Sequence, residues 1–511
     1  MERFTKNEAL LEEAQRYWEN AADFRRRRER CKRYCYGDQW GDLVMMEGQW
    51  VREEQYIRSM GSEPLKNNLI RRLVKQVLGL YRQQHDAATE GAVERLSGED
   101  AVLREALGRM RRLNDMCELN ARALEEFLIS GMTVQRKTFG ERQGRRECFT
   151  DNVSPARFII DTAYRDTRGW DVGLVGEIHD LAFDTLCAEF ATDAADCARL
   201  ADIYAPETYA ERLTRTTDYF AAARSMAKAF RTPANPAACR VYELWRRERR
   251  PGYLCHDTAT GQLFLTDVAA VADVEAVNQW RHDMAAAAGR PADAVALIHT
   301  QWMMTDEWRY YYLTPFGDVL SEGRSPYAHR KHPYVFKAYP YVDGEIHSFV
   351  ADIIDQQRYT NRLITLYDWV MRSSAKGVLL VPEESIPDGY TIDDIASQWA
   401  LFNGVIPVKT RNGALLPQQV AANAVNVGIS ELLNTQLAFM EDISGVNGAL
   451  QGKAEGASVS GKLFEQQTHN ASVSQLDLLD SFRSFLDEAE RKDVSNLKQF
   501  VVGDTETAGI A

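Results

Sequence analysis

Three long helix patterns, separated by segments rich in Gly and Pro, make up the last third of the chain and most constrain how it folds. They cover residues 348–373, about 418–442 and about 462–500. Apolar side chains recur every three or four residues in each pattern, so each helix has one side that must be covered by another element. The first helix carries its apolar side on Phe349, Ile353, Leu363, Tyr367 and Val370.

Two connections of different character join these helices. Between the first and the second, short apolar runs alternate with Pro and Gly turns, which predicts a small compact module. Between the second and the third, the backbone has high conformational freedom, because the glycines are unusually dense. These glycines are Gly445, Gly448, Gly452, Gly456 and Gly461. We expect a flexible loop there, suited to contact with a partner that moves past it.

The sequence before residue 345 contains both helix and strand patterns. Residues 2–34 have the spacing of one amphipathic helix that ends in the basic run RRRRERCKR. That run could bind phosphate, but a solvated or intersubunit helix face is favoured because the whole chain is acidic. Further helices are predicted at about 65–84, at about 101–130 and in the Ala-rich stretch 183–232.

Strand patterns lie between and after these helices. Residues 134–180 contain short apolar runs bounded by Gly, Pro, Asn and Asp. The segment from Val241 to Asp267 predicts a hairpin with its turn near Thr258–Gly261, and EWRYYYLTPFGDVLSEG predicts further strand. The chain is therefore expected to be an α+β protein.

Composition excludes several classes of protein. The formal net charge of −13 argues against a surface that wraps nucleic acid tightly, because such binding neutralises phosphates with Lys and Arg. No run reaches the eighteen or so apolar residues of a membrane span, and the N-terminus lacks a signal-peptide core, which predicts a protein made in the cytosol. The eight cysteines form no CxxC pair, so reduced thiols are expected.

One segment resembles a nucleotide-binding loop. Residues 456–463 match GxxxxGK, but Leu463 stands where the motif needs a hydroxyl to hold magnesium. The sequence before it is polar and does not resemble a buried strand. A flexible loop that leads into a helix, with Ser460 as its N-cap, is therefore favoured over a nucleotide site.

Other candidates for chemistry are weak. There is no HExxH motif and no GxSxG motif. His329, His332 and His347 lie in a Tyr- and Pro-rich stretch, where packing or surface roles are favoured over metal binding. The carboxylate pairs Asp393–Asp394 and Glu441–Asp442 are typical of solvated helix ends. We therefore predict no catalytic residue, no metal site and no cofactor, and expect that the chain is not an enzyme.

Several phrases, in their order along the chain, resemble the portal proteins of tailed bacteriophages, and of short-tailed phages most closely. They are GDQW, NNLIRRLVKQVLGLYRQQ, VYELWRRE, HPYVFKAYPYVDGEIHSFVADIIDQQRYTN, and DISGVNGALQG followed by SGK. The resemblance spans about residues 30–500. Each phrase alone is weakly specific, and their order is the stronger signal.

The resemblance implies a portal fold with a mixed α+β wing, two stem helices, a small α/β clip, a tunnel loop and a long C-terminal helix. The implied divisions are 1–345 for the wing, 346–376 for the first stem helix, 377–417 for the clip, 418–442 for the second stem helix, 443–461 for the tunnel loop, and 462–511 for the long helix and a reduced crown. Few residues follow Phe500, so a large crown is not expected.

It also implies a function. Portals form a ring, here expected to be a dodecamer, at one capsid vertex of the virion, and double-stranded DNA passes through its channel. The implied partners are the large terminase subunit, the head–tail adaptor, and the major capsid and scaffolding proteins. The alternatives are another phage head–tail structural protein, or a packaging-associated nuclease or NTPase, which would need a complete P-loop or a carboxylate metal cluster.

The same resemblance points to residues for the channel. In the stem helices they are Asp355, Gln356, Arg358, Asn361 and Arg362. In the tunnel loop they are Gly445, Asn447, Gly448, Gln451, Gly452, Lys453, Glu455, Gly456, Ser458 and Ser460.

Overall fold

The computed structural model confirms a mixed α+β protein with a long C-terminal helix. It describes residues 5–97, 100–206, 228–289, 291, 295–342, 344–376, 378–400, 405–409, 417–420, 428–446 and 475–502. The chain divides into two compact units. Unit 1 comprises residues 1–32, 76–351 and 472–511, and unit 2 comprises residues 33–75 and 352–471.

Helices and strands alternate along the described chain. The helices are α1 (Glu8–Asn20), α2 (Ala22–Tyr36), α3 (Glu53–Ser59), α4 (Leu69–Ser97), α5 (Ala101–Leu113), α6 (Met116–Ser130), α7 (Phe183–Phe190), α8 (Ala194–Tyr204), α9 (Val271–Ala287), α10 (Phe349–Lys376), α11 (Ile392–Ala400), α12 (Ile429–Ser444) and α13 (Leu476–Leu497). The strands are β1 (Leu43–Met46), β2 (Gln49–Arg52), β3 (Met132–Arg142), β4 (Arg145–Asn152), β5 (Phe158–Ile160), β6 (Leu174–Leu181), β7 (Cys239–Asp257), β8 (Gln262–Asp267), β9 (Ile298–Leu313), β10 (Val319–Arg324), β11 (Tyr334–Ala338), β12 (Tyr341–Val342), β13 (Glu345–Ile346), β14 (Val378–Leu380) and β15 (Gln418–Val420).

A six-stranded antiparallel sheet forms the framework of unit 1. Its order is β10-β9-β7-β6-β5, and β8 pairs with the outer half of β7. The predicted hairpin is confirmed, because β7 and β8 are joined by a turn at residues 258–261. Helix α1 covers one side of the sheet, where Leu10 and Leu11 join Leu244 and Leu313 in a fully buried cluster.

A second, three-stranded sheet, β11-β3-β4, packs against α13 within unit 1. Three ionisable side chains are buried at this contact. Lys137 of β3 forms an ion pair with Asp493 of α13 at 2.7 Å. Next to it, the Lys492 ammonium donates to the carbonyl oxygens of His332 and Tyr334 at 2.9 and 2.6 Å. Burial lowers the pKa of Lys492 to about 7.

The prediction of a single helix over residues 2–34 is wrong, because the structure has two helices, α1 and α2, with a break at Ala21. Neither Gly nor Pro marks this break. The Arg25 guanidinium lies 3.5 Å from the centre of the Trp18 ring and donates to the Trp18 carbonyl. This carbonyl lies in the last turn of α1, where the helix leaves acceptors without partners, so a side chain satisfies the helix end.

The predicted helix over residues 101–130 is also divided. Helix α5 ends at Leu113, and α6 begins after Asp115, whose φ of 47° is left-handed. Asn114 stabilises this break through its side chain, which donates to the carbonyl of Cys148 at 3.0 Å and accepts from the N–H of Thr150 at 3.0 Å. Contacts with β4 therefore override the helical pattern.

In the C-terminal third, the helix predicted at 348–373 is confirmed as α10. The helix predicted from residue 418 begins only at Ile429, because Gln418–Val420 form β15 and pair with β14. The last helix is described from Leu476. The Gly-rich stretch from residue 447 and the GxxxxGK segment lie outside the described residues.

The structure bears on two expectations from the sequence, the reduced cysteines and the lack of a membrane span. All eight cysteines are free, and five of them are buried: Cys31, Cys35, Cys148, Cys239 and Cys255. Among the described residues, no helix is both long and apolar enough to cross a membrane.

Leu107 tests the packing of unit 1. Its side chain is fully buried with Leu103, Met110 and Leu497, so Leu107→Ala leaves a cavity and should lower the free energy of unfolding by about 2–5 kcal/mol. Urea unfolding followed by tryptophan fluorescence measures this loss. Val102→Ala on the exposed side of the same helix is the control and should change stability by less than about 0.5 kcal/mol. Equal losses in the two variants would contradict the packing.

Candidate functional site

A cluster of hydrogen-bonded amide groups in unit 2, fully buried at Gln39, Gln357 and Asn361, brings together three segments that are far apart in the sequence. Gln39 comes from the GDQW turn, Asn67 and Asn68 precede α4, and Gln357 and Asn361 lie one turn apart on α10. We call these five residues the amide network. Three of the phrases that carried the family resemblance, GDQW, NNLIRR and DQQRYTN, therefore meet in one place.

Asn361 and Gln39 form the centre of the amide network. The Asn361 amide nitrogen donates to the Gln39 side-chain oxygen at 2.7 Å, and the Asn361 oxygen accepts from the backbone N–H of Asn67 at 3.1 Å. The Gln39 nitrogen donates to Asn68 Oδ1 and to the carbonyl of Tyr34, both at 3.0 Å. Each donor has an acceptor, as a buried amide requires.

Gln357 holds the beginning of α4. Its side-chain oxygen accepts from the backbone N–H groups of Leu69 and Ile70 at 2.9 and 3.2 Å, while Asn68 Oδ1 accepts from Arg71 at 3.1 Å. The first N–H groups of a helix have no partner within the helix. A side chain of α10 thus caps α4, which ties the two helices together.

Glu53 forms ion pairs with both arginines of α10 that the sequence singled out. Its side chain is 3% exposed, and its Oε2 accepts from Arg358 Nη2 at 2.8 Å, while Oε1 accepts from Arg362 Nε at 2.9 Å. One buried carboxylate therefore neutralises part of the charge of two guanidinium groups. Arg358 and Arg362 are positioned by Glu53.

The other predicted site residues are placed as follows. Asp355 is exposed on α10, and the buried Oε1 of Gln356 has no hydrogen-bond partner among the described residues. Gly445 ends α12 with a φ of 63°. The remaining tunnel-loop residues lie outside the described residues: Asn447, Gly448, Gln451, Gly452, Lys453, Glu455, Gly456, Ser458 and Ser460.

Beside the amide network, unit 2 carries an open apolar groove of about 400 Å³. Trp40, Tyr56 and Met60 line one side, and Leu366 and Trp369 of α10 line the other. The same helix exposes further large apolar side chains, namely Tyr359, Tyr367 and Met371. Tyr367, which was predicted on the apolar side of the helix, is thus solvent-exposed in the single chain.

Unit 1 contains a second polar cluster, which sequence reasoning missed. Glu177 and His179 alternate on β6, and Glu243 of β7 lies directly opposite Glu177 in the sheet register. Two carboxylates in register repel each other unless a positive group lies between them. Arg136 Nη1 takes that place, at 3.0 Å from Glu243 Oε2 and 3.6 Å from Glu177 Oε2. In the sequence, this cluster could have been recognised from Glu177 and His179, which occupy alternate positions of the largely apolar strand β6.

Glu177, His179 and Glu243 have the donor set of a divalent-metal site, since their ligand atoms lie within 4.8 Å of one another. The Arg136 guanidinium, however, lies among those atoms and supplies the positive charge that a metal would bring. The cluster is therefore an internal ion network. Arg136, His179 and Glu243 line a cavity of about 730 Å³ together with Trp245 and other aromatic side chains.

Charges within this network shift the pKa values of its members. Burial favours the neutral form of Glu243, but the hydrogen bond from His179 and the charge of Arg136 outweigh it and hold the pKa of Glu243 at about 2. Burial also lowers the pKa of His179, yet the hydrogen bond to Glu243 at 3.0 Å outweighs this effect and raises it overall. His179 therefore binds a proton more readily in the folded protein than a free histidine does.

Comparison with known families gives one match. The profile of a family described as phage P22-like portal protein matches residues 11–506, which is nearly the whole chain. No individually curated protein matches the sequence.

Asn361 tests the amide network. Asn361→Ala removes the partners of the Gln39 oxygen and the Asn67 N–H, and the Gln39 side chain stays buried, so the free energy of unfolding should fall by about 1–3 kcal/mol. Asp355→Ala on the exposed side of the same helix is the control, with an expected change below about 0.5 kcal/mol. Chemical denaturation measures both, and an Asn361→Ala variant as stable as the control would contradict the role of the network.

His179 makes stability depend on pH. Its pKa is raised by folding, so the stabilisation is fully present below the unfolded value of about 6.5 and is lost as the pH rises through the folded value. The stability difference between the native chain and His179→Gln should therefore be larger at about pH 5.5 than at about pH 8.5. Urea unfolding at both pH values measures it. A difference that grows with pH would contradict the assigned sign.

Proposed function

The chain belongs to the phage P22-like portal protein family, and on that premise we propose that it forms a dodecameric ring at one vertex of the capsid. The family assignment itself makes it a phage portal protein, a structural component of the virion that serves DNA packaging. The observation that carries the proposal is the match over residues 11–506. Double-stranded DNA would pass through the channel of the ring during packaging and ejection.

The proposed division of labour along the chain follows the order of its elements. Helices α10 and α12 would be the two stem helices, and the module between them, which contains β14, α11 and β15, would be the clip. In numbers, the proposal assigns 1–345 to the wing, 346–376 and 418–442 to the stem helices, 377–417 to the clip, 443–461 to the tunnel loop, and 462–511 to the returning helix and reduced crown.

The charge balance supports a conduit for DNA. A net charge of −13 repels the phosphate backbone and so lets DNA slide along a wall without being held. Among the stem residues proposed for the channel, Arg358 and Arg362 form ion pairs with Glu53, which weakens their attraction for phosphate. We propose that the Gly-rich tunnel loop makes the remaining contact with DNA.

Exposed apolar side chains support assembly into a ring. Besides α10, helix α12 leaves Leu432, Phe439 and Ile443 exposed in the single chain. Exposed clusters of this kind are typical of protein interfaces. A head-to-tail contact between identical chains, repeated around an axis, closes into a ring.

We further propose that the clip binds the large terminase subunit during packaging and the head–tail adaptor afterwards. Tyr390, Ile392 and Val405 of this segment are exposed apolar side chains, which supports a docking role. The wing would contact the major capsid protein, with the scaffolding protein during assembly.

Electron microscopy of the purified protein tests the ring. Negatively stained particles seen end-on should show rings with a central hole, and light scattering should give a mass close to that of twelve chains. Compact monomers in both measurements would overturn the proposal.

Trp369 provides a matched variant for the same test. Its side chain is 49% exposed in the apolar groove, and Trp369→Asp should abolish the rings because it puts a charge into the proposed interface. Trp280→Asp changes a tryptophan of unit 1 that is 62% exposed, and should leave the rings intact. Rings in the Trp369→Asp variant would exclude the groove from the interface.

A further inference from the structure

Four arginines converge on one surface pocket of unit 1. Arg109 and Arg112 come from the last turns of α5, while Arg145 and Arg146 begin β4. The pocket has a volume of about 570 Å³, and its other lining residues are Leu113 and Glu147. We call these four residues the arginine pocket. Its formal charge is +3, four guanidinium groups less one carboxylate, in a chain whose net charge is −13.

Most of this charge is not neutralised by the protein. Glu147 forms an ion pair with Arg109 at 2.8 Å, and its second oxygen is buried, so it does not face the open pocket. Within the described part of the chain, no ion pair reaches Arg112, Arg145 or Arg146. Arg146 instead lies over the Phe139 ring, with its guanidinium carbon 5.3 Å from the ring centre.

A structural role explains only part of the set. A cation in the last turn of α5 stabilises the helix dipole, which accounts for Arg112. It does not account for the hairpin, where Arg145 lies directly opposite Arg142 in the sheet register. Like charges in that position destabilise a sheet, and although Arg142 is paired with Asp151, Arg145 has no such partner among the described residues.

The hairpin holds these side chains in a defined position. Its turn has two central residues, Gln143 and Gly144, with φ of 53° and 71°. Positive φ at both positions is the tight turn that matches the twist of paired strands. The packing of α5 against β4, through Leu107 and Cys148, brings the two pairs of arginines together.

We infer that the arginine pocket binds phosphate groups of the backbone of double-stranded DNA. Guanidinium groups form paired hydrogen bonds with phosphate oxygens, and a pocket of this size can take a stretch of backbone as well as a single anion. The inference rests on the proposed function, because DNA is the anionic polymer that a portal handles. It adds a local contact with DNA on a protein that otherwise repels it.

Binding of a short fluorescent DNA duplex to the full-length protein tests the inference. Arg145→Gln/Arg146→Gln should weaken binding about tenfold, and the slope of log affinity against log salt, between about 50 and 200 mM, should fall by about two. The control is Arg249→Gln/Arg483→Gln, which removes the same charge from exposed sites outside the pocket and should change affinity less than about twofold.

Two outcomes would overturn the inference. The first is an affinity for DNA that is unchanged in the hairpin variant or reduced equally in the control, which leaves the pocket to an acidic protein surface or to solvent. The second is a pocket that binds tripolyphosphate but not the duplex, which makes a free anion the ligand. Neither result affects the ring, which the hairpin variant should still form, so a failure of the proposed function would be recognised separately by the absence of rings.

Discussion

The buried amide network is the interaction on which the rest of unit 2 depends. Amide side chains in a protein interior cost free energy unless every donor and acceptor is satisfied, and here the partners come from distant segments, as between Asn67 and Asn361, which are 294 positions apart. Gln357 and Asn361 of α10 at the same time cap α4 and fix the GDQW turn. The position of α10 is therefore set by hydrogen bonds with directional requirements. Apolar packing alone would allow the helix to slide or rotate.

This constraint explains why α10 leaves large apolar side chains in contact with solvent. Its buried side combines the apolar Ile353 and Leu363 with the amides Gln357 and Asn361, while Leu366, Tyr367 and Trp369 lie on the exposed side. The portal family assignment is consistent with the exposure of these apolar side chains, because an oligomeric ring is built from contacts between copies of the chain.

Many of the basic side chains are paired with acidic side chains inside the fold. In an acidic chain, several basic groups are neutralised within the fold: Lys137 by Asp493, Arg136 by Glu243, and Arg358 by Glu53. Such buried pairs specify geometry more than they add stability, because desolvation offsets most of the attraction. In the arginine pocket, by contrast, only Arg109 has an ion-pair partner among the described residues.

The sequence by itself determined the α+β class, the β7–β8 hairpin and the long helix α10, because each depends on a local period of apolar residues and on turn residues that act within a few positions. It also carried the family resemblance through phrases such as GDQW and DQQRYTN. Only the tertiary structure decided where the N-terminal helices break. Neither Ala21 nor Asp115 is a glycine or a proline, and the breaks are stabilised by the side chains of Arg25 and Asn114. The same holds for the late start of α12, where pairing with β14 draws residues 418–420 into a strand, and for the Arg136–Glu243 cluster. Hydrogen bonds and ion pairs between distant segments leave no periodic trace in a single sequence, so these features follow from the fold alone.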